Sequence, residues 1–261
     1  MIHNNKEMIN ILKKLKSEFN IIGIKSSFEE EGVYFNELIK LKELTTITDI
    51  DFNIKIGGCE AISDINNCVS LNVNGIIAPM IESEFALSKF IHSAKDNLPG
   101  ILFKKFNFHV NLESRLAYEN FKLILSDNSN YKFLTGIVVG RSDMAKSYTL
   151  NKSNVDDIEL YKISKDIFKE AKKYKLLTTM GGNISFKSEK FINKLYDLKI
   201  LDRIETRNII FDLNEKVINN LDLALNLALS FESLWLRSKS SYYMNISNSY
   251  LERANIIDER K

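Results

Sequence analysis

One arrangement repeats along this chain and limits what it can fold into: an apolar strand, a polar or acidic cluster at its C-terminal end, then an amphipathic helix. Asn20-Ile21-Ile22-Gly23-Ile24-Lys25-Ser26-Ser27-Phe28 runs into Glu29-Glu30-Glu31-Gly32, and Phe52-Asn53-Ile54-Lys55-Ile56 into Gly57-Gly58-Cys59-Glu60. Gly75-Ile76-Ile77-Ala78 ends at Pro79-Met80-Ile81-Glu82-Ser83, and the strand around 106–112 ends at Glu113-Ser114. Thr135-Gly136-Ile137-Val138-Val139 meets Gly140-Arg141-Ser142-Asp143, and Lys175-Leu176-Leu177-Thr178-Thr179-Met180 meets Gly181-Gly182-Asn183. A last strand region covers Ile204 to Phe211. Apolar residues at three-to-four spacing predict helices at 4–18, 34–44, 60–71, 82–94, 114–125, 188–198 and, after a loop near 147–156, up to Lys173.

Strands joined through helices predict a parallel sheet, because each parallel crossover needs a helix. The length of 261 residues and the number of units favour a TIM (β/α)8 barrel, typically about 250 residues, over an open doubly-wound sheet. The eighth strand is not placed: 204–211 can supply two short strands, or the N-terminal segment can contribute irregularly, so an irregular or missing strand is allowed for. We take 1–212 as the barrel with its N-terminal helix and 213–261 as a C-terminal helical extension. Residues 213–236 are apolar nearly all round, from Leu221 to Trp235. Such a helix wants cover on every side. A second copy of the chain is the expected cover, and the rival is the chain's own tail at 244–258.

Composition narrows the function. The 36 basic and 34 acidic residues are well mixed, giving a net charge of +2. No basic stripe marks a nucleic-acid binder, and no apolar run approaches the roughly 18 residues of a membrane span. The start lacks a signal-peptide pattern, and Cys59 and Cys68 have neither disulfide density nor metal-finger spacing. A cytoplasmic enzyme or binding barrel for a small molecule is expected, with neither nucleic acid nor membrane as partner.

The site should lie where strand C-termini converge. In Phe108-His109-Val110-Asn111-Leu112-Glu113, side chains alternate, so His109, Asn111 and Glu113 share one face. Glu29, Glu60, Glu82, Glu113, Asp143 and Glu205 all fall at or just past strand ends. For Glu30, Glu82 and Glu84 the simpler account is an acid favoured by a helix N-terminus. The other account is a pair binding a divalent cation, which Glu113 and Asp143 could supply from neighbouring strands. His109 lies deeper along its strand and reads as a satisfied core histidine. Arg141 and Arg207 could bind a substrate carboxylate or phosphate, or pair with Glu205.

Four segments in order carry a resemblance: Ile54-Lys55-Ile56-Gly57-Gly58-Cys59-Glu60-Ala61, Ala78-Pro79-Met80-Ile81-Glu82-Ser83, Val110-Asn111-Leu112-Glu113-Ser114 and Val139-Gly140-Arg141-Ser142-Asp143-Met144-Ala145. Together they resemble the HpcH/HpaI aldolase/citrate lyase family of phosphoenolpyruvate- and pyruvate-binding barrels, over roughly residues 20–212. The resemblance implies a metal-dependent carbon–carbon lyase or aldolase acting on a small 2-oxo acid or a malyl/citryl-type substrate. It implies Glu113 and Asp143 as ligands of Mg2+ or Mn2+, with backbone N–H groups around Ser142 and Asp143 holding the substrate carboxylate; of the two arginines, Arg141 is favoured as a substrate group because it lies inside this turn. Asn111 stands for the glutamine of the pyruvate aldolases, and Lys55 for an arginine that polarises the substrate carbonyl. Lysine keeps the charge and loses the bidentate fork. The family's early-loop histidine is absent from Ser27-Phe28-Glu29-Glu30-Glu31-Gly32, which leaves Glu29 as the candidate base and leans toward the citrate lyase side of the family.

Two other readings stay open. A Schiff-base aldolase would use Lys25 or Lys55 as nucleophile. A degenerate barrel would bind a ligand without turnover.

Overall fold

A computed structural model of the chain describes residues 2–28, 32–126, 130–149 and 155–261. Helix α1 (Ile2–Phe19) leads into β1 (Ile21–Ser27), and the chain then alternates: α2 (Phe35–Thr48), β2 (Asp51–Lys55), α3 (Ile62–Ser70), β3 (Gly75–Ala78), α4 (Glu84–Asn97) and a short α5 (Gly100–Phe103). It continues through β4 (Asn107–Leu112), α6 (Arg115–Ser126), β5 (Gly136–Gly140), α7 (Arg141–Ser147), α8 (Ile158–Lys173), β6 (Leu177–Gly181) and α9 (Glu189–Asp197). Strands β7 (Arg203–Glu205) and β8 (Ile209–Asp212) precede α10 (Glu215–Ile218) and α11 (Leu221–Asp258). The eight strands close into one barrel in sequence order.

The barrel departs from the expected all-parallel sheet at its last strand. β1 to β7 pair in parallel, whereas β8 runs antiparallel to both β7 and β1. The cause is the connection: only Thr206, Arg207 and Asn208 join β7 to β8. No crossover helix fits in that length, so the pair forms a hairpin. The 204–211 region therefore supplies two short strands, one of the two alternatives the sequence left open.

Alternation builds the walls. Ile54, Ile76, Phe108, Val110, Leu112, Ile137 and Val139 are buried against the helical layer. Each such side chain contributes roughly 1.5–3 kcal/mol on leaving water. Opposite strand positions turn inward, and several carry polar groups set against glycine on the next strand. A Cβ on Gly75 would lie 2.2 Å from Asn53 Oδ1, and one on Gly136 would lie 3.0 Å from His109 Nδ1. One on Gly140 would lie 2.5 Å from Glu113 Oε2, and one on Gly181 2.8 Å from Glu205 Oε1. A narrow barrel can hold large polar side chains inside only if their neighbours have none.

The extension is the short α10 and one long helix rather than a helix with a returning tail. α11 runs unbroken through Asp258, so 244–258 does not cover 213–236. Its first half packs against α1, burying Ala224, Leu225, Ala228, Phe231 and Trp235. Its second half leaves Met244, Tyr250, Leu251, Ile256 and Ile257 exposed. Among the described residues, no helix is long and apolar enough to cross a membrane.

Candidate active site

At the C-terminal ends of the strands lies a cavity of about 490 Å³. β1 sends in Lys25, β2 Lys55, β4 Asn111 and the adjoining Glu113, and the start of α7 Ser142 and Asp143. The expected face of β4 is thus the one that meets the cavity.

Glu113 is the most enclosed of these groups, with 2% of its surface exposed. Lys55 Nζ lies 3.3 Å from its Oε1. Asn111 Nδ2 donates to Oε2 at 2.8 Å, and the Met80 backbone N–H donates to Oε1 at 3.3 Å. Met80 reaches that place from the left-handed region, with φ of 51°, a conformation unfavourable to a side chain of its kind. Because the carboxylate only accepts, Asn111 must turn its amide nitrogen toward Glu113. Its Oδ1 is then buried without a hydrogen-bond partner. An unpaired buried acceptor is costly unless a ligand supplies a donor or a positive charge.

Asp143 is about one-third exposed and pairs with Lys146, one helical turn on. Beside it, the Gly182 backbone has φ of +83°, and a Cβ there would lie 2.5 Å from the Ser142 nitrogen. Only glycine meets both demands.

The oxygen donors suit a divalent cation. Glu113, Asp143 and the free Asn111 Oδ1 are hard ligands, and Gly140 leaves room beside Glu113. Among the described residues, no group of three or more His, Cys, Asp or Glu is placed to enclose a metal. A cation here would complete its shell with water and substrate, as Mg2+ commonly does. Lys55 and Lys146 each pair with one of the two carboxylates.

Several expectations need correction. Arg141 does not line the cavity. Its side chain is fully buried, donating to Gly181 O at 3.2 Å, Gly182 O at 3.0 Å, Ser188 Oγ at 3.1 Å and Asp156 Oδ1 at 2.5 Å. It also lies 5.0 Å from the centre of the Phe191 ring. It braces the β6–α9 connection from behind. His109 is buried as expected. It faces a second, interior cavity toward the N-terminal end of the barrel. Burial there, with help from Arg203, pulls its pKa down to about 3, so the ring is neutral. Glu60 pairs with Lys89 at 2.9 Å on the surface, and Glu82 accepts from Ser114 Oγ. Glu29 lies outside the described residues.

The cavity also holds the candidates Lys25, Glu205 and Arg207, together with Lys146, Leu229 and Glu232, which sequence reasoning did not assign to the site. Glu205 and Lys25 form a buried ion pair at its floor. Lys146, Arg207 and, from α11, Leu229 and Glu232 complete its wall. Glu232 accepts from Thr206 Oγ1 at 2.5 Å and from Asn208 N at 2.8 Å, fastening the β7–β8 hairpin. Burial raises its pKa, and these two hydrogen bonds oppose the rise. Its signal was an acid set among the apolar residues of 223–236.

Three solved structures place the fold. An HpcH/HpaI aldolase from Desulfitobacterium hafniense DCB-2 has a TM-score of 0.61 and 9% identity, over 78% of this chain and 82% of that one. The citrate synthase SbnG has a TM-score of 0.60 and 13% identity, over 87% and 90% of the two chains. An HpcH/HpaI aldolase/citrate lyase family protein from Burkholderia cenocepacia J2315 has a TM-score of 0.57 and 12% identity, over 79% and 83%. No family sequence model and no curated protein sequence matches the chain. At such identities the likeness is one of architecture, and it agrees with the resemblance drawn from the strand-end segments: the fold of this chain is that of the HpcH/HpaI aldolase/citrate lyase barrels.

Proposed function

We propose that the protein is a carbon–carbon lyase or aldolase acting on a small 2-oxo acid or a malyl/citryl-type substrate through an enolate. The observation that supports this most is the wall of β4: buried Glu113 between Lys55 and Asn111, whose Oδ1 is buried without a partner, with Asp143 on the adjoining element.

Glu113 and Asp143 would hold Mg2+ or Mn2+, which when bound supplies Lewis-acid stabilisation of developing negative charge. Lys55 adds a compact positive charge beside the same carboxylate, where an oxyanion forming in a sheltered cavity gains most from it. Asn111 Oδ1, buried without a partner beside Glu113, would offer the cation a further oxygen donor. The Ser142 hydroxyl donates to the substrate carboxylate, a task Arg141 cannot share from its place behind the cavity. A Schiff-base route would require Lys25 or Lys55 to leave an ion pair with a buried glutamate, which speaks for the enolate route.

The test is release of pyruvate from 4-hydroxy-2-oxo acids and of acetyl groups from malyl and citryl thioesters. Activity should fall on EDTA treatment and return with Mg2+ or Mn2+. Glu113→Gln and Asp143→Asn should each remove it, and full activity in either variant would end the metal assignment. We also propose that α11 engages a second copy of the chain through its exposed apolar second half. Light scattering should then give a dimer or larger, and a monomer on truncation at residue 243.

A further inference from the structure

We propose that Lys25 and Glu205 are the acid–base pair of this site, an assignment that rests on the enolate reading above. Enolate chemistry needs a group to take the proton of the substrate hydroxyl and another to protonate the enolate carbon. Among the described carboxylates of the cavity, Glu113 and Asp143 belong to the cation site and Glu232 is tied to the hairpin. Glu205 remains.

Its setting is built. Lys25 and Glu205 side chains are 16% and 4% exposed, and both face the cavity. Gly181 leaves the space that the carboxylate fills. The β8 return clamps the backbone of Lys25: its N–H donates to Asn208 O at 2.7 Å, and its carbonyl accepts from Asn208 Nδ2 at 2.9 Å. Strand register puts Lys25 level with Asn53 and Ser27 level with Lys55, so this pair lies one inward position below Lys55. Glu205 also lines the interior cavity of about 130 Å³, beside His109, Asn53 and Thr179. A space that polar and roomy suits ordered water. Glu205 thus lies between the active-site cavity and this interior one.

In the cleavage direction, Glu205 takes the hydroxyl proton as the carbonyl forms, the carbon–carbon bond breaks, and its electron pair becomes the enolate. The Lys25 ammonium then gives a proton to the enolate carbon. The proton on Glu205 passes to the neutral lysine, and the pair returns to its starting state with no net gain or loss.

Pyruvate methyl exchange in D2O with Mg2+, followed by proton NMR, tests this apart from cleavage. Glu205→Gln and Lys25→Met should slow exchange 100- to 10,000-fold, with the KM for pyruvate within threefold of wild type. Lys25→Arg should fold, since it keeps the charge, and should be equally slow, since it gives up no proton. Exchange within fivefold of wild type in Lys25→Arg or Glu205→Gln would overturn the assignment. If wild type exchanges and Glu113→Gln stops it while Glu205→Gln does not, the acid–base pair falls and the enolate reading stands. If wild type shows no exchange, the enolate reading falls and takes this one with it.

Discussion

Lys55 Nζ and Glu113 Oε1 stand 3.3 Å apart with both side chains largely withdrawn from water, on the carboxylate we assign to a divalent cation. The lysine and the cation therefore compete for one negative charge. Removing the ammonium as Lys55→Met leaves that charge to the metal. The expected result is Mn2+ binding about tenfold tighter, roughly 1.4 kcal/mol, together with turnover at least 100-fold lower, because the oxyanion loses a cation. Titration followed by electron paramagnetic resonance reads the first and steady-state kinetics the second. Weaker Mn2+ binding in this variant would show that Lys55 supports the cation rather than opposing it.

Gly140 makes the position of Glu113 possible, since an added Cβ would meet Oε2 at 2.5 Å. Its φ of −86° suits any residue, so Gly140→Ala adds no backbone strain. The effect is confined to displacing the carboxylate. We expect a loss of about 1–3 kcal/mol in stability, as in other overpacked sites, and metal affinity down by roughly 10- to 100-fold. Urea unfolding and calorimetry check the two. An unchanged affinity would mean that Glu113 is not a ligand.

Period-two alternation in 107–113 gave the inner face of β4 and the strand-end rule pointed to Glu113 and Asp143, while Lys55, Asn111 and Ser142 were named from the family resemblance; all five line one cavity. Three features escaped the sequence reading for physical reasons. The direction of β8 depends on the three-residue link at 206–208, whose shortness rules out a crossover. Arg141 was placed with Ser142 and Asp143 because the segment read as a turn. It is the first turn of α7, where successive residues point about 100° apart, and Arg141 points away. Glu232 reaches the site from α11, far along the chain, and an acid among apolar helix residues does not reveal its partner.

Arg141 should therefore behave as a structural residue. Its guanidinium satisfies three carbonyls, a hydroxyl and Asp156, so truncation leaves several buried groups unpaired. Arg141→Met should cost about 3–5 kcal/mol, the range for breaking a buried pair, seen as a fall in the urea midpoint. Lys cannot reproduce the fork, so Arg141→Lys should recover less than half of that loss. A stable Arg141→Met protein with a raised KM would return this residue to the substrate site.

His109 sets the acid limit of stability. Its folded pKa, held down to about 3 chiefly by burial, lies below the ordinary value of about 6.5 in an unfolded chain. The unfolded state therefore binds a proton that the folded state refuses. The stabilisation is complete above about pH 6.5 and erodes as pH falls toward 3, by about 1.4 kcal/mol per unit. Between pH 6.5 and 5 the wild type should lose roughly 2 kcal/mol that a His109→Gln variant, having no such proton to bind, keeps. Urea midpoints of the two proteins across that interval measure the difference. Parallel curves would mean that the interior cavity hydrates the imidazolium well enough to let it form.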